Sequence, residues 1–306
     1  MNILVTGGAG FIGSHLVQWL VQQGHAVRVL DNLSSGRKEW LGDALAAVDF
    51  HIGDICDMAA VQAAMQEVHT VFHLAALVSV IESIEQPLKA QAHNATGTLH
   101  VLEAARQARV QRVVQASSCA VYGNSERLPI SEQDPVQPLS PYAATKLAAE
   151  QLGQLYTTLY GLETVALRFF NVYGPRQDPA SPYAAVVPRF VAALRQGTQP
   201  VIFGDGQQSR DFIYVGDIVQ GLWTAATAPN VGGQVFNVGT GQTWSILELA
   251  HLVGAALGVA VQPEFKPART GEVRHSCADV QHFAQRANFR ATVSLREGLQ
   301  RTVAGA

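Results

Sequence analysis

The chain of 306 residues carries 21 Lys and Arg against 24 Asp and Glu, a formal charge of −3, with 48% apolar and only 15% charged residues. This composition argues against disorder, since the apolar content can build a large core, and against nucleic-acid binding, which needs basic residues clustered on one face. No run reaches the ~18 apolar residues of a membrane span, and the start Met1-Asn2-Ile3-Leu4-Val5-Thr6 lacks the basic region of a secretion signal.

Ile3-Leu4-Val5 is an apolar run closed by Gly7 and Gly8 and predicts a buried parallel strand. Ile12, Leu16, Trp19 and Leu20 recur at helical spacing, and Gly24 sits where a glycine commonly ends a helix. Strands are predicted at Ala26–Leu30, Val48–Ile52, Thr70–Ala75, Arg112–Ala116 and Thr164–Phe169, with helical patterns at Met58–Gln66, Leu88–Arg109 and Tyr142–Tyr160. This alternation predicts an α/β fold, a Rossmann-like doubly wound parallel sheet. From Asn171 to Pro182 a proline-rich stretch interrupts the alternation, and later elements are shorter. A nucleotide-binding domain over 1–170 and a smaller C-terminal lobe over 171–306 are expected, with some segments of the lobe returning to the first domain. Cys56, Cys119 and Cys277 are too scattered for a disulfide framework or a zinc knuckle and suit a reducing compartment, so a cytoplasmic protein is expected.

Gly8-Ala9-Gly10-Phe11-Ile12-Gly13 fits G-x-G-x-x-G between a strand and a helix, and Gly7, Gly10 and Gly13 repeat at a spacing of three. Such glycines let the backbone turn tightly, approach a pyrophosphate and pack the helix on the sheet. Asp31 ends the next strand about 20 residues on, placed to accept ribose hydroxyls and to repel a 2′-phosphate, which favours NAD over NADP. Asp54, after the strand Val48–Ile52, is placed to meet the adenine.

Tyr142 and Lys146 are four apart on a predicted helix begun by Ser140-Pro141, so phenol and ammonium share a face. A cation beside a phenol favours the phenolate, which would make Tyr142 a general base. Ser118 follows the strand ending near Ala116, at the carboxyl edge where such sheets bind ligands. His69 and His73 are four apart as well, but they flank a strand-like run in which four residues span about 13 Å, so no metal site is expected.

Together these motifs resemble the extended short-chain dehydrogenase/reductase family, in its NAD-dependent sugar-nucleotide epimerase/dehydratase branch. His73-Leu74-Ala75-Ala76, Val121-Tyr122-Gly123, Leu167-Arg168-Phe169-Phe170-Asn171-Val172-Tyr173-Gly174-Pro175 and Arg210-Asp211-Phe212 extend the match over nearly the whole chain. Related dehydratases carry an Asp-Glu pair where this chain has Cys119 and Ala120, so the chain is most similar to the UDP-hexose 4-epimerases.

The resemblance implies Ser118, Tyr142 and Lys146 as catalytic residues acting with bound NAD on a UDP-sugar. It implies a NAD site of Gly7, Gly10, Phe11, Ile12, Asp31, Asn32, Ser34, Ser35, Gly36, Asp54, Ile55, Leu74, Ala75, Ala76, Asn94, Tyr142, Lys146 and Phe170. Substrate contacts would come from Ser118, Tyr142, Asn171, Val187, Arg210, Arg269 and Ser276, with Ser276 beside the hexose, small enough for a 2-acetamido group. A homodimer pairing the helices near Leu88–Arg109 and Tyr142–Tyr160 is also implied. An epimerase acting mainly on UDP-N-acetylglucosamine or UDP-glucuronate is one alternative, and a non-catalytic NAD sensor on the same fold is the alternative of another class.

Overall fold

The structure, a computed structural model, describes residues 1–179, 184–268 and 273–305. In its first half β1 (Asn2–Thr6), α1 (Phe11–Gln22), β2 (Ala26–Asp31), β3 (Val48–Ile52), α2 (Met58–Ala64), β4 (Thr70–His73), α3 (Val80–Glu85), α4 (Pro87–Ala90), α5 (Gly97–Gln107), β5 (Arg112–Ser118), α6 (Pro141–Tyr160) and β6 (Glu163–Phe169) follow one another. The second half contributes β7 (Asn171–Tyr173), α7 (Val186–Arg195), β8 (Val201–Phe203), β9 (Ser209–Arg210), β10 (Phe212–Tyr214), α8 (Val215–Thr227), β11 (Val235–Val238), β12 (Trp244–Ser245), α9 (Ile246–Leu257), β13 (Glu264–Lys266), α10 (Gln281–Ala287) and α11 (Leu295–Ala304).

Seven parallel strands form the main sheet in the order β3-β2-β1-β4-β5-β6-β11. Its outermost strand, β11, therefore comes from beyond residue 170. The period-2 alternation of a strand explains why the apolar runs are continuous. Ile3 and Val5 pack on one face against Leu16, Leu20, Ile218 and Leu222, while Leu4 packs on the other with Val61, Val101 and Leu102. The strand order reverses between β1 and β4, and ligands of such sheets bind outside the carboxyl ends at that reversal. A further core of Phe190, Phe212, Leu249, Val253 and Leu299 holds α7, α9 and α11 beyond those ends.

Local chemistry sets the helix limits. In α6 the Ser140 side chain accepts from Ala143 N, Pro141 occupies the first turn and Gly161 ends the helix at φ 71°. The helix expected over Leu88–Arg109 is broken by a π-helical turn at Gln91–Thr96. There the buried Asn94 amide turns to Leu77, accepting from its N–H (2.8 Å) and donating to its carbonyl (3.0 Å), and it donates to Thr145 Oγ1 (3.1 Å). Among the described residues no helix is long and apolar enough to cross a membrane.

Candidate active site

A cavity of about 970 Å³ opens at the sheet reversal, running from the glycine loop past the ends of β2, β4 and β5 to α7. Gly7 adopts φ +70°, and a Cβ there would lie 2.7 Å from Ala75 N; a Cβ on Gly13 would lie 2.1 Å from the Gly7 carbonyl oxygen. Positions 7 and 13 accept only glycine, and the loop there leaves bare backbone facing the cavity. No side chain caps α1 at Gly10, so its first-turn N–H groups and positive dipole end suit a pyrophosphate.

At the end of β2 the Asp31 carboxylate accepts from Ala9 N (2.9 Å) and Leu33 N (2.8 Å), which fixes it against the glycine loop. Burial raises its pKa, and those two N–H bonds oppose the rise. Asp54 accepts from Asn32 Nδ2 (2.7 Å) and Cys56 N (2.8 Å). Burial alone would raise its pKa, yet these bonds together with His93 hold it below the usual carboxylate range. Asp54, Cys56 and His93 bring one potential ligand atom each within 4.8 Å of one another, but the Asp54 oxygens are already engaged as described.

Behind the end of β4, His73 Nδ1 meets Thr6 Oγ1 (2.8 Å) and Nε2 meets Thr98 Oγ1 (3.0 Å). Burial, then the charge of Lys146, pushes the His73 pKa down to about 3. His15 falls to about 4 through burial and the Arg176 charge, despite its bond to the Pro175 carbonyl. An unfolded chain protonates both near pH 6.5. Between pH 6.5 and about 5 it therefore holds more protons than the folded chain, and stability falls as pH falls. The expected loss is up to about 2 kcal/mol for each histidine. Urea unfolding at pH 7.0 and 5.0 checks this, and equal stability at the two would contradict it.

Strand β5 and helix α6 form the centre of the site. Three successive residues at the strand's end engage three successive turns of the helix. The Ala116 carbonyl accepts from Lys146 Nζ (3.0 Å), Ser117 Oγ donates to Glu150, and Ser118 is hydrogen-bonded to the Tyr142 side chain. Lys146 Nζ lies 6.0 Å from the centre of the Tyr142 ring. The sequence predicted a phenol with a lowered pKa, and the structure differs: burial pushes Tyr142 up to about 12, with Ser118 only partly opposing. Burial also lowers Lys146, to about 8, against the pull of Glu150. At this depth desolvation outweighs a cation one helical turn away.

Of the residues implied by the sequence, Gly7, Gly10, Phe11, Ile12, Asp31, Asn32, Ser34, Ser35, Ile55, Leu74, Ala75, Ala76, Ser118, Tyr142, Lys146, Phe170, Asn171 and Val187 line the cavity. Gly36, Asp54, Asn94, Arg210 and Ser276 do not, and Arg269 lies outside the described residues. Gly36 packs under the glycine loop, where its Cβ would lie 2.9 Å from Ala9 C. Ser276 is buried within hydrogen-bonding reach of Cys119, next to Ser118. Arg210 donates to the Ser209 carbonyl (2.9 Å), and its charge reaches Cys119. Asn171 donates to the Asp211 carbonyl (3.1 Å).

Sequence reasoning assigned no role to the side chains that hold this edge together. Asp211, fully buried, accepts from Thr240 N (2.8 Å), Thr240 Oγ1 (2.7 Å), Gly241 N (2.9 Å) and Ala278 N (3.1 Å), tying the segment of Ser276 to β10. Arg168 on β6 binds Glu150 through two bonds (2.9 and 2.7 Å) and donates to Tyr122 Oη (2.8 Å). The signal was available: Lys146-x3-Glu150 repeats the Tyr142-x3-Lys146 spacing, and Arg168 interrupts an apolar strand.

Residues 3–239 match the model of the NAD dependent epimerase/dehydratase family. A UDP-glucose 4-epimerase of Mycolicibacterium smegmatis is 43% identical over 99% of this chain and 97% of its own. The solved UDP-N-acetylglucosamine 4-epimerase of Methanobrevibacter ruminantium M1, in complex with UDP-N-acetylmuramic acid, has a TM-score of 0.95 at 38% identity, covering 99% of this chain and 97% of that one. The UDP-glucose 4-epimerase of Thermotoga maritima, solved with UDP-glucose, has a TM-score of 0.94 at 37% identity, covering 99% and 98%. With a glycine cradle and an acid placed for NAD, and with sequence and fold matched end to end, the chain belongs to the NAD dependent epimerase/dehydratase family.

Proposed function

We propose that the chain is a UDP-hexose 4-epimerase interconverting UDP-glucose and UDP-galactose, and that its small Ser276 also admits the 2-acetamido pair. The observation that carries this reading is that Ser118, Tyr142 and Lys146 face the same cavity as the glycine loop and Asp31. Cys119 and Ala120 beside Ser118 offer no acid for eliminating water, which disfavours a dehydratase.

Asp31 would hold the adenine-side ribose, the first turn of α1 the pyrophosphate, and Lys146 the nicotinamide ribose. When bound, NAD supplies the acceptor and then the donor of the hydrogen at sugar C4. Tyr142 takes the proton of the 4-hydroxyl as the C4–H bond breaks, leaving a 4-keto sugar. After the keto sugar turns over, Tyr142 returns the proton as C4 regains its hydrogen on the opposite face, with no net redox change. Ser118, bonded to the phenol, guides that proton. The uncapped first turn of α7, where Val186 and Val187 line the cavity, favours the UDP diphosphate together with Arg210 and Asn171, and Arg269 is proposed to join them.

Exposed Ile81, Ile84, Leu88, Leu155 and Leu159 leave an apolar flank on α3, α4 and α6, which supports a homodimer formed through these helices. Three free cysteines suit the reducing cytoplasm.

The test incubates the purified protein, without added NAD, with UDP-galactose and separately with UDP-N-acetylgalactosamine. Conversion of both is expected. Ser276→Tyr should then abolish the N-acetyl reaction and spare the plain one. An unchanged ratio of the two rates would remove Ser276 as the gate. Turnover of neither substrate, even with NAD supplied, would overturn the hexose assignment.

A further inference from the structure

We propose that Glu150, clamped by Ser117 and Arg168, is a positioning residue that keeps Lys146 charged and aimed at the site. The inference rests on Tyr142 and Lys146 acting as proposed above.

Lys146, Glu150 and Arg168 are 7%, 2% and 5% exposed, so two cations and one anion lie together inside the protein. Replacing a buried ion pair with packed apolar residues is often neutral or stabilising, so stability alone does not account for these charges. Their arrangement does. Residues 146 and 150 share a helical face, so the carboxylate lies one turn below the ammonium. An unclamped Glu150 would be drawn to Lys146 and would pull Nζ down the helix, away from the cavity. Arg168 takes both carboxylate oxygens, at 2.9 and 2.7 Å, and Ser117 donates to one of them. Glu150 is thus held at a fixed place, where its field still favours the protonated lysine. Lys146 Nζ meanwhile bonds the Ala116 carbonyl at 3.0 Å, in register with the Ser118–Tyr142 contact.

The titratable groups around this cluster leave a clear window. Lys146 faces Tyr142 and Glu150 on its own helix and His73 on β4, whose protonation is confined to about pH 3. Glu150 faces Arg168 on β6, which in turn bonds Tyr122; Tyr122 is held near 12 by burial, and Cys119 beside Tyr142 is held near 11. Between pH 6 and 10 the group of this cluster that changes charge is Lys146.

The chain has four lysines, Lys38, Lys89, Lys146 and Lys266, so carbon-13-labelled lysine resolves Lys146 by NMR in the protein as purified. In Glu150→Gln the Lys146 midpoint should move down by about one pH unit. The alkaline limb of kcat should follow, giving about a tenfold lower kcat at pH 9 with similar values at pH 6 and an unchanged KM. Glu150→Gln/Arg168→Met removes both partners, so no unpaired Arg168 is left buried near Lys146, and should lower the midpoint too, by less, because the repulsion of Arg168 is lost as well. Glu150→Asp keeps the charge and should keep the wild-type limb. A Lys146 midpoint unmoved in both Gln variants would overturn the proposal and leave the pair a structural one. Should Tyr142→Phe retain full activity, the underlying reading fails instead, whatever Lys146 does.

Discussion

Tyr142→Phe is expected to lower kcat about 1000-fold, within the range that a positioned general acid–base supplies, while the protein keeps its fold and its bound NAD. The ring stays, so the packing of α6 against β5 is unchanged, and only the hydroxyl joined to Ser118 is lost. The size of the effect follows from burial. A phenol held near 12 hardly ionises at neutral pH, and Lys146 alone does not overcome that burial. Bound oxidised NAD would supply a further positive charge near the site, so Tyr142 would ionise more readily in the loaded enzyme than in the chain alone. Wild-type kcat should accordingly rise with pH along an acid limb that is absent from the residual activity of the Phe variant. An acid limb surviving in Tyr142→Phe would assign the proton to another group.

Asp211→Ala should be the most damaging single change to stability, about 4 kcal/mol or more. Four donors bond this carboxylate, which is shut away from water, and each buried donor left unpaired costs about 1–3 kcal/mol. Asp205 provides the contrast. Its pair with Arg274 is well formed, at 2.7 Å, but both side chains are more than half exposed, and solvent screening leaves such a pair little effect on stability. Denaturant unfolding of Asp211→Ala and Asp205→Ala side by side gives the comparison. Equal midpoints for the two variants would refute the assignment. Because Asp211 also fixes Ala278, two residues from Ser276, its loss should weaken binding of the UDP-sugar in any molecules that do fold.

The dinucleotide half was largely legible in the sequence because its signals are local. The runs at Ile3–Val5 and Val48–Ile52 and the helix at 142–160 announce themselves through periodicity and caps. The break at Gln91–Thr96 was hidden, since Asn94 leaves the helical pattern in order to bond Leu77, a partner that only the fold supplies. The six-residue helix α3, and β9 and β12 with two residues each, are too short for any periodicity to show. Tyr142 and Lys146 were found by spacing, whereas Glu150, Arg168 and Asp211 work through contacts between elements far apart in the chain. The protonation of Tyr142 was misjudged for a related reason: spacing reports the neighbouring cation and says nothing of how deeply both are buried.

The seventh strand has a bearing on how the chain comes off the ribosome. Val235–Val238 pairs with β6, yet 64 residues lie between it and Phe170, whose N–H bonds the Val238 carbonyl at 3.0 Å. Until that segment has been synthesised, β6 is a bare sheet edge with its ladder groups unpaired, open to another nascent copy. The helix just before β11, α8, packs Ile218 and Leu222 on the face of the sheet beside Ile3 and Val5, so β11 reaches that edge from a helix already docked on the sheet. Six strands can pair early, and closure of the sheet waits for β11. Protection of that edge against aggregation thus arrives only with residues 235–238, in a late step of biosynthesis.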